Sequence, residues 1–527
     1  MNDTPATHTS NGHDWRRRAP AFAVPETAVR RLSLRPLPAQ SAAGTATLYS
    51  ASRLIVGGEA SADSGAASLR SVRELSALAS RLGMKLSRRS FSTAKVERAR
   101  KVPLTTLGIT PQSRIDIAPL KGGPAPDAWE LLSEAREANL EAAESLSLSH
   151  VLMAGGLSGV GYVSGVGYVS GVGYVSGVGY VSGVGYVSGV GGGAPGAPDG
   201  RMPVAWPGGT PIAAPDTAHP TVAILDTGLG QHPWFGDNVT RDPRLHGAAI
   251  GLRFAPEDDP ELTGITLDQI NQSLDPMAGH GTFIAGIIRA ACPSAHLISV
   301  PVMYGDGACD EADLIAALQG LHERHMLSLS GALDEPPLDI VNLSMGFYHE
   351  APDTVSDTAG LNAAIGALSE AGVTIVASAG NGGSDVEFWP AALCTTAPRE
   401  NCAPLVSVGA SNPGSQTVSH FSNTGQWVRT YRPGTAIVST MPTTFDAAAQ
   451  SSARARPAAA PVRGTSDVDN YAGGFGIWSG TSFSAPLFAG ELAQRLAEST
   501  GIAPASSGRS SRARALVDEL CEGGGLR

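Results

Sequence analysis

The sequence is poor in cysteine, aromatic residues and charge, and each shortage removes a class of protein. Five cysteines, at positions 292, 309, 394, 402 and 521, are an odd number in 527 residues and cannot all pair within one chain. Cys394 and Cys402 are near enough in sequence to close a short loop, but with no secretory signal in view the reading is reduced thiols. No Cys/His spacing fits zinc; His322-Glu323-Arg324-His325 misses the metalloprotease pattern by one position, which removes the shared helical face. Met1 to Pro20 holds three arginines and no apolar run, so no classical signal peptide is visible. The expected location is cytoplasmic, with non-classical export left open. Charged residues make up 16% and the net charge is −11, with no basic, aromatic-interleaved surface of the kind that holds nucleic acid. The arginine clusters Arg16 to Arg18 and Arg509 to Arg514 read as solvated tails, which leaves peptides or proteins as partners.

What is present is 42% apolar residues, enough for a sizeable core, and a length that allows more than one domain. Residues 1–46 read as a disordered tail. Residues 47–153 read as a small α/β unit in which Arg53 to Gly57 suits a strand, Val72, Leu75, Leu78 and Leu82 mark a helix, and Val102 to Ile109 and Arg114 to Pro119 suit two strands joined at Pro111. Asp127 is placed to cap a helix running to Ser145, and Leu148 to Met153 suits a last strand, giving the order βαββαβ. Residues 154–214 read as a glycine-rich linker: Ser-Gly-Val-Gly-Tyr-Val occurs five times from Ser158 to Val187, within a stretch uncharged from Val151 to Pro198. So much glycine argues against a membrane-spanning helix. A flexible tether is the favoured role, with self-association as the alternative. Residues 215–500 alternate strand and helix and predict a mostly parallel sheet covered by helices, and residues 501–527 read as a loosely held tail.

Four short stretches of that larger region carry chemistry. Thr221 to Leu225 is a β-branched run that delivers Asp226 to a glycine turn, where open α/β sheets place their reactive groups. Gly279-His280-Gly281-Thr282 puts an imidazole at the start of a helix carrying Ile284, Ile287 and Ile288. Val373 to Ala379 is a β run ending in Gly380-Asn381-Gly382, where an asparagine amide can donate to an oxyanion. Gly480-Thr481-Ser482 precedes a helix whose face carries Ala485, Phe488, Leu492 and Leu496, so Ser482 sits among helix-start N–H groups that favour developing negative charge. Taken alone, Ser-Gly-Thr-Ser is ordinary turn chemistry. An aspartate, a histidine and a serine together point to nucleophilic catalysis.

Asp226-Thr227-Gly228, Gly279-His280-Gly281-Thr282, Ser378 to Gly382 and Gly480 to Pro486 resemble the four signature blocks of the subtilisin-like serine peptidases, in that family's order. The likeness covers roughly Pro215 to Thr500. It implies a subtilisin-like three-layer α/β fold and a serine endopeptidase with Asp226, His280 and Ser482 as catalytic residues and Asn381 in the oxyanion hole. It also implies substrate contacts at Ser344, Met345, Gly346, Ser378, Ala379 and Gly380. No cofactor is implied for the chemistry; structural calcium is common in the family, but no loop shows a ligand pattern, and Asp467 and Asp469 read as solvated acids. Phe283 stands where the family has a second histidine, and Phe483 where it has methionine; both read as packing variants. Phe445 to Ala472 reads as an inserted surface loop. The 47–153 unit resembles the ferredoxin-like propeptides that precede many of these peptidases, in pattern order only, against the alternative of an interaction module. As a propeptide it would lay the chain after Met153 through the cleft, with self-cleavage between Ala154 and Asp216. Two alternative functions are a non-catalytic scaffold on this fold and a sedolisin-like peptidase with a glutamate base; His280 speaks against the second.

Overall fold

The computed structural model describes residues 24–39, 47–57, 66–91, 94–154, 201–214, 218–270, 272–351, 360–395, 401–447, 471–499, 506–523 and 526. The Ser-Gly-Val-Gly-Tyr-Val repeat, Arg16 to Arg18, Asp467, Asp469 and the interior of the 445–472 stretch lie outside them.

The N-terminal module runs Glu26–Leu32 (α1), Leu34–Leu37 (β1), Thr47–Val56 (β2), Ala66–Arg81 (α2), Met84–Ser90 (β3), Ala94–Ala99 (α3), Ser113–Pro119 (β4), Ala128–Glu137 (α4) and Leu146–Ala154 (β5). Strands β5, β2, β4 and β3 lie side by side in that order, all antiparallel. Leu54, Ile115, Ile117 and Leu148 of the sheet bury against Leu75 and Leu78 of α2 and Leu131 and Leu132 of α4. Asp127 caps α4 by accepting from the Trp129 N–H.

Four expectations are corrected here. Val102 to Ile109 is no strand: Leu104–Leu107 forms one 3-10 turn, in which Leu104 and Leu107 are both buried. The partner of β4 is β3, from Met84↔Pro119 to Ser90↔Ser113. The helix after Asp127 stops at Glu137, well short of Ser145. Residues 24–39, assigned to a tail, form α1 and β1, and β1 pairs with β2.

The larger body contains Met202–Pro203 (β6), Thr221–Asp226 (β7), Val239–Thr240 (β8), His280–Ala291 (α5), His296–Pro301 (β9), Ala308–Asp310 (β10), Glu311–Leu329 (α6), Ile340–Leu343 (β11) and Met345–Tyr348 (β12). Gly360–Glu370 (α7), Thr374–Ser378 (β13), Phe388–Trp389 (β14), Leu405–Ser411 (β15), Thr430–Pro433 (β16), Ile437–Thr440 (β17), Phe475–Trp478 (β18), Thr481–Glu498 (α8) and Ser506–Glu522 (α9) follow. Seven strands run parallel in the order β16, β15, β13, β11, β7, β9, β8. Because side chains alternate along a strand, β7 serves two cores. Ala223 and Leu225 pack with Leu314 and Leu318 of α6 and Leu368 of α7, while Val222 and Ile224 pack with Ile284 and Ile288 of α5 and Phe488 of α8. The result is a mixed α/β body with a parallel sheet between two helical layers.

Both assigned boundaries of this body move outward. Residues 201–214, expected as linker, instead join the body: β6 pairs antiparallel with β18 and Arg201 is buried. Residues 501–527, expected as a loose tail, instead pack on the body through α9, which buries Val517, while Arg509 pairs with Asp339 at 2.7 Å and donates to the Leu338 carbonyl at 2.6 Å. Phe445 and Tyr471, at the ends of the predicted surface insertion, are core residues joined by a Tyr471 N–H to Phe445 carbonyl bond.

Arg509→Ala should destabilise the chain by about 1–3 kcal/mol, because it strands the Leu338 carbonyl and leaves Asp339 without its cation. A denaturant midpoint unchanged from wild type would return α9 to the status of a loose tail.

Candidate active site

The predicted residues meet at the carboxyl edge of the parallel sheet, where each β strand ends and the backbone turns. Asp226 is the last residue of β7, His280 the first of α5 and Ser482 the second of α8, and all three are fully buried. Gly279, with φ of 79°, makes the left-handed turn that starts α5. A Cβ on Gly281 would lie 2.2 Å from the Gly228 carbonyl oxygen, so glycine is what lets α5 close onto the Asp226 turn. Asp226 Oδ1 accepts from His280 Nδ1 at 2.7 Å and from the Thr227 N–H at 2.8 Å. His280 Nε2 has no hydrogen-bond partner among the described residues.

Ser482 is tied to the residue between β11 and β12 by a reciprocal pair: its hydroxyl donates to the Ser344 carbonyl at 3.0 Å, and the Ser344 hydroxyl donates to the Ser482 carbonyl at 2.9 Å. The hydroxyl therefore rests on Ser344. Asn381 accepts through its amide oxygen from the Thr481 N–H at 3.0 Å and the Thr481 hydroxyl at 2.9 Å, which orients the amide. Phe283 and Phe483 pack on each other at 4.6 Å, and Phe483 and Trp478 lie 5.4 and 5.5 Å from the His280 ring. The two departures from the expected motif residues are thus one packing event around the imidazole.

Of the predicted substrate residues, Met345 and Gly346 pair with Ala154 and Met153 of β5, and Ser344 holds Ser482. Gly346 has no room for a side chain, since a Cβ there would lie 2.4 Å from Phe388 and from the Trp389 carbonyl. Ala379 and Gly380 are fixed elsewhere: Asn423 donates to the Ala379 carbonyl at 2.8 Å, and the Gly380 N–H donates to Thr481 at 3.1 Å. Ser378, the last residue of β13, pairs with Val408 of β15.

Sequence reasoning missed Glu261, which sits in Asp258-Asp259-Pro260-Glu261 with no motif to flag it. Its carboxyl is buried against the Thr227 hydroxyl, accepts from Thr282 Oγ1 at 2.5 Å and lies 3.2 Å from the Gly281 N–H. Burial pushes this carboxyl up to about 8, against the opposing hydrogen bonds from Thr227 and Thr282. Proton accounting agrees. The Thr227 hydroxyl accepts from the Gly281 N–H at 2.9 Å and lies 3.2 Å from Asp226 Oδ1, and it has one proton to give. If Glu261 is neutral it donates to Thr227, whose own proton then goes to Asp226; if it is ionised, one oxygen pair is left without a proton.

Among the described residues, the group of three or more His, Cys, Asp or Glu side chains whose ligand atoms converge is His150, His349 and Glu350. Two imidazoles and one carboxylate are not an oxygen set for calcium. They do not suit a transition metal either: His150 contacts Glu311 and Glu350 through its two ring nitrogens, and His349 Nδ1 accepts from the Ala351 N–H at 3.0 Å. All five cysteines are unpaired.

A carboxylate–imidazole pair and a serine at a helix start, set on the edge of a parallel sheet, define a class of α/β proteins built around a nucleophile site. Within that class the chain belongs to the subtilase family, whose model matches residues 217–517, more than half of its length. It is similar to the minor extracellular protease Epr of Bacillus subtilis, 31% identical over 41% of this chain and 30% of that protein. It is also similar to Subtilisin BL of Lederbergia lenta, 27% identical over 45% of this chain and 71% of that protein. The match thus spans less than two-thirds of the first relative. A solved cold-adapted subtilisin-like serine proteinase is 22% identical, covering 55% of this chain and 79% of its own, with a TM-score of 0.33.

The raised Glu261 carboxyl fixes the sign of a pH effect. Between its ordinary value of 4.5 and about 8 the native state holds more protons than the unfolded one, so stability should fall as pH rises through that window. Glu261→Gln should flatten this slope in thermal unfolding measured from pH 5 to 9. A slope identical to wild type would mean that Glu261 ionises as an exposed carboxyl does.

Proposed function

We propose that the chain is a serine endopeptidase. The observation that carries this reading is the buried 2.7 Å Asp226–His280 hydrogen bond beside a serine at a helix start. Ser482 attacks the peptide carbonyl, His280 takes its proton through Nε2 and returns it to the leaving amine, and Asp226 holds the tautomer by accepting from Nδ1–H. The Ser482 N–H and the Asn381 amide hold the oxyanion. For this the Ser482 hydroxyl turns from the Ser344 carbonyl to His280. Glu261 bonds to Thr227, Thr282 and the Gly281 N–H, which speaks against a glutamate base of the sedolisin kind.

A fluorophosphonate probe should label Ser482 and no other serine, and Ser482→Ala should abolish labelling and peptide cleavage. Asn381→Ala should lower turnover by about 10²–10³ with little change in substrate binding, a range measured on subtilisin itself. Labelling elsewhere, or full turnover without Asn381, would remove these assignments.

The N-terminal module is read as an intramolecular propeptide. Two features support this: its βαββαβ order with antiparallel strands β5, β2, β4, β3 suits a ferredoxin-like unit, and β5 inserts antiparallel between β10 and β12 in the way a substrate would. Ala154 lies opposite Met345, next to Ser344, whose carbonyl accepts from the Ser482 hydroxyl, so the chain leaves β5 beside the proposed nucleophile. Arg201 is anchored on the body, which narrows the proposed cut to between Ala154 and Arg201. Mass spectrometry of wild type and Ser482→Ala should show the cut only in the former. If both stay full length while wild type cleaves added peptides, the module is a permanent interaction unit.

A further inference from the structure

One residue before the Val151↔Asp310 pair, β5 buries a histidine in a pocket made by the body. His150 is 4% exposed at its side chain. Its Nδ1 lies 2.9 Å from Glu311 Oε2, its Nε2 3.1 Å from Glu350 Oε2, and its backbone N–H donates to Glu311 at 2.9 Å. Its ring stacks on Phe347 with centroids 4.4 Å apart and planes 17° off parallel. Both ring nitrogens therefore donate, and the ring is an imidazolium. Burial alone would lower the basicity of this ring; Glu350 and Glu311 more than reverse that and raise it to about 10. Glu350 in turn is pulled down to about 2, chiefly by His150 against the upward push of burial.

The glutamates belong to the body, at the start of α6 and just after β12, and the cation belongs to the module. Two buried carboxylates without a cation are costly, so the body is built to receive a positive group there. This is more than a cluster of acids, because a side chain of the right charge, delivered by a strand in substrate-like pairing, is seated in it. Resting on the peptidase reading above, we propose that Glu311, Glu350 and Phe347 form a subsite for a cationic side chain of the substrate, four residues before the one opposite Met345. Leu152, between that position and Ala154, packs in the apolar core beside Met345 and Phe347, so a preferred substrate pairs a basic residue with an aliphatic one two places on. A neutral residue at the first position would leave Glu311 with the strand's backbone N–H and Glu350 with the His349 ring, whose Nδ1 lies 3.6 Å away, in place of a buried cation.

The test is a competition in one tube. The full-length protein receives equal amounts of a peptide copying residues 147–158 and its His150→Gln version, and early products are counted by mass spectrometry. The product ratio equals the ratio of kcat/KM and does not depend on how many active sites the module leaves open. The histidine peptide should win by about 10–100-fold, the scale of a charged hydrogen-bonded pair. A His150→Glu peptide should lose by more, and Glu350→Gln in the protein should bring the histidine and glutamine peptides within about twofold. Equal cleavage by wild type overturns the subsite and leaves the peptidase reading standing. A protein that cleaves no peptide and whose Ser482 takes up no fluorophosphonate overturns both.

Discussion

The buried carboxylate of Asp226 is the constraint around which the carboxyl edge of the parallel sheet is arranged. A carboxylate with no exposure must be met by donors, and here the Thr227 N–H, the Thr227 hydroxyl and His280 Nδ1 converge on one oxygen. Bringing an imidazole to 2.7 Å of the end of a central strand requires a helix start to approach a strand end closely. Gly281 removes the Cβ that would strike Gly228, and Gly279 supplies the left-handed turn. Trp478 and Phe483 then pack on the ring, with Phe283 behind them, which keeps water from competing for its hydrogen bond.

A second organising force is charge of opposite sign on the two units. Asp306, Asp310 and Glu323 of the body meet Arg31, Arg53 and Arg100 of the module at 2.5, 2.7 and 2.6 Å. The Arg100 and Glu323 side chains are only 9% and 4% exposed, so this pair is shielded from salt and solvent more than a surface pair would be. The strand ladder of β5 fixes register, and the ion pairs around it fix which unit can dock. His150, seated between Glu311 and Glu350, completes the same pattern.

The sequence was legible where one residue type does one geometric job. The Asp-Thr-Gly, Gly-His-Gly-Thr and Gly-Thr-Ser blocks are readable because glycine marks close approach and because β-branched runs and helical spacing flank them. Reading failed where tertiary partners decide. Met84–Ser90 carries Lys85, Arg88 and Arg89 with a mostly exposed pattern, as an edge strand does, and so lacks the alternation that flags a half-buried one. Leu104 and Leu107, three apart in a strand-like apolar run, belong to a 3-10 turn. The arginines of α9 looked solvated because their acceptors, Asp339 and the carbonyls of Leu338, Leu496 and Cys402, are distant in sequence. Glu261 was invisible for the same reason.

The two ends of the 155–200 stretch return to one place. Ala154 lies opposite Met345, one residue from Ser344, which holds Ser482. Arg201 donates to the carbonyls of Ala278 and Asp275, and its guanidinium lies 4.9 Å from the centroid of Trp478, the ring packed on His280. The chain therefore departs beside the serine and comes back beside the histidine. A cut between these points would leave each new end held by its own contacts, β5 through its ladder and Met202–Pro203 through β18. Severing the backbone and releasing the module would then be separate events, the second governed by the ion pairs and the His150 pocket more than by the peptide bond.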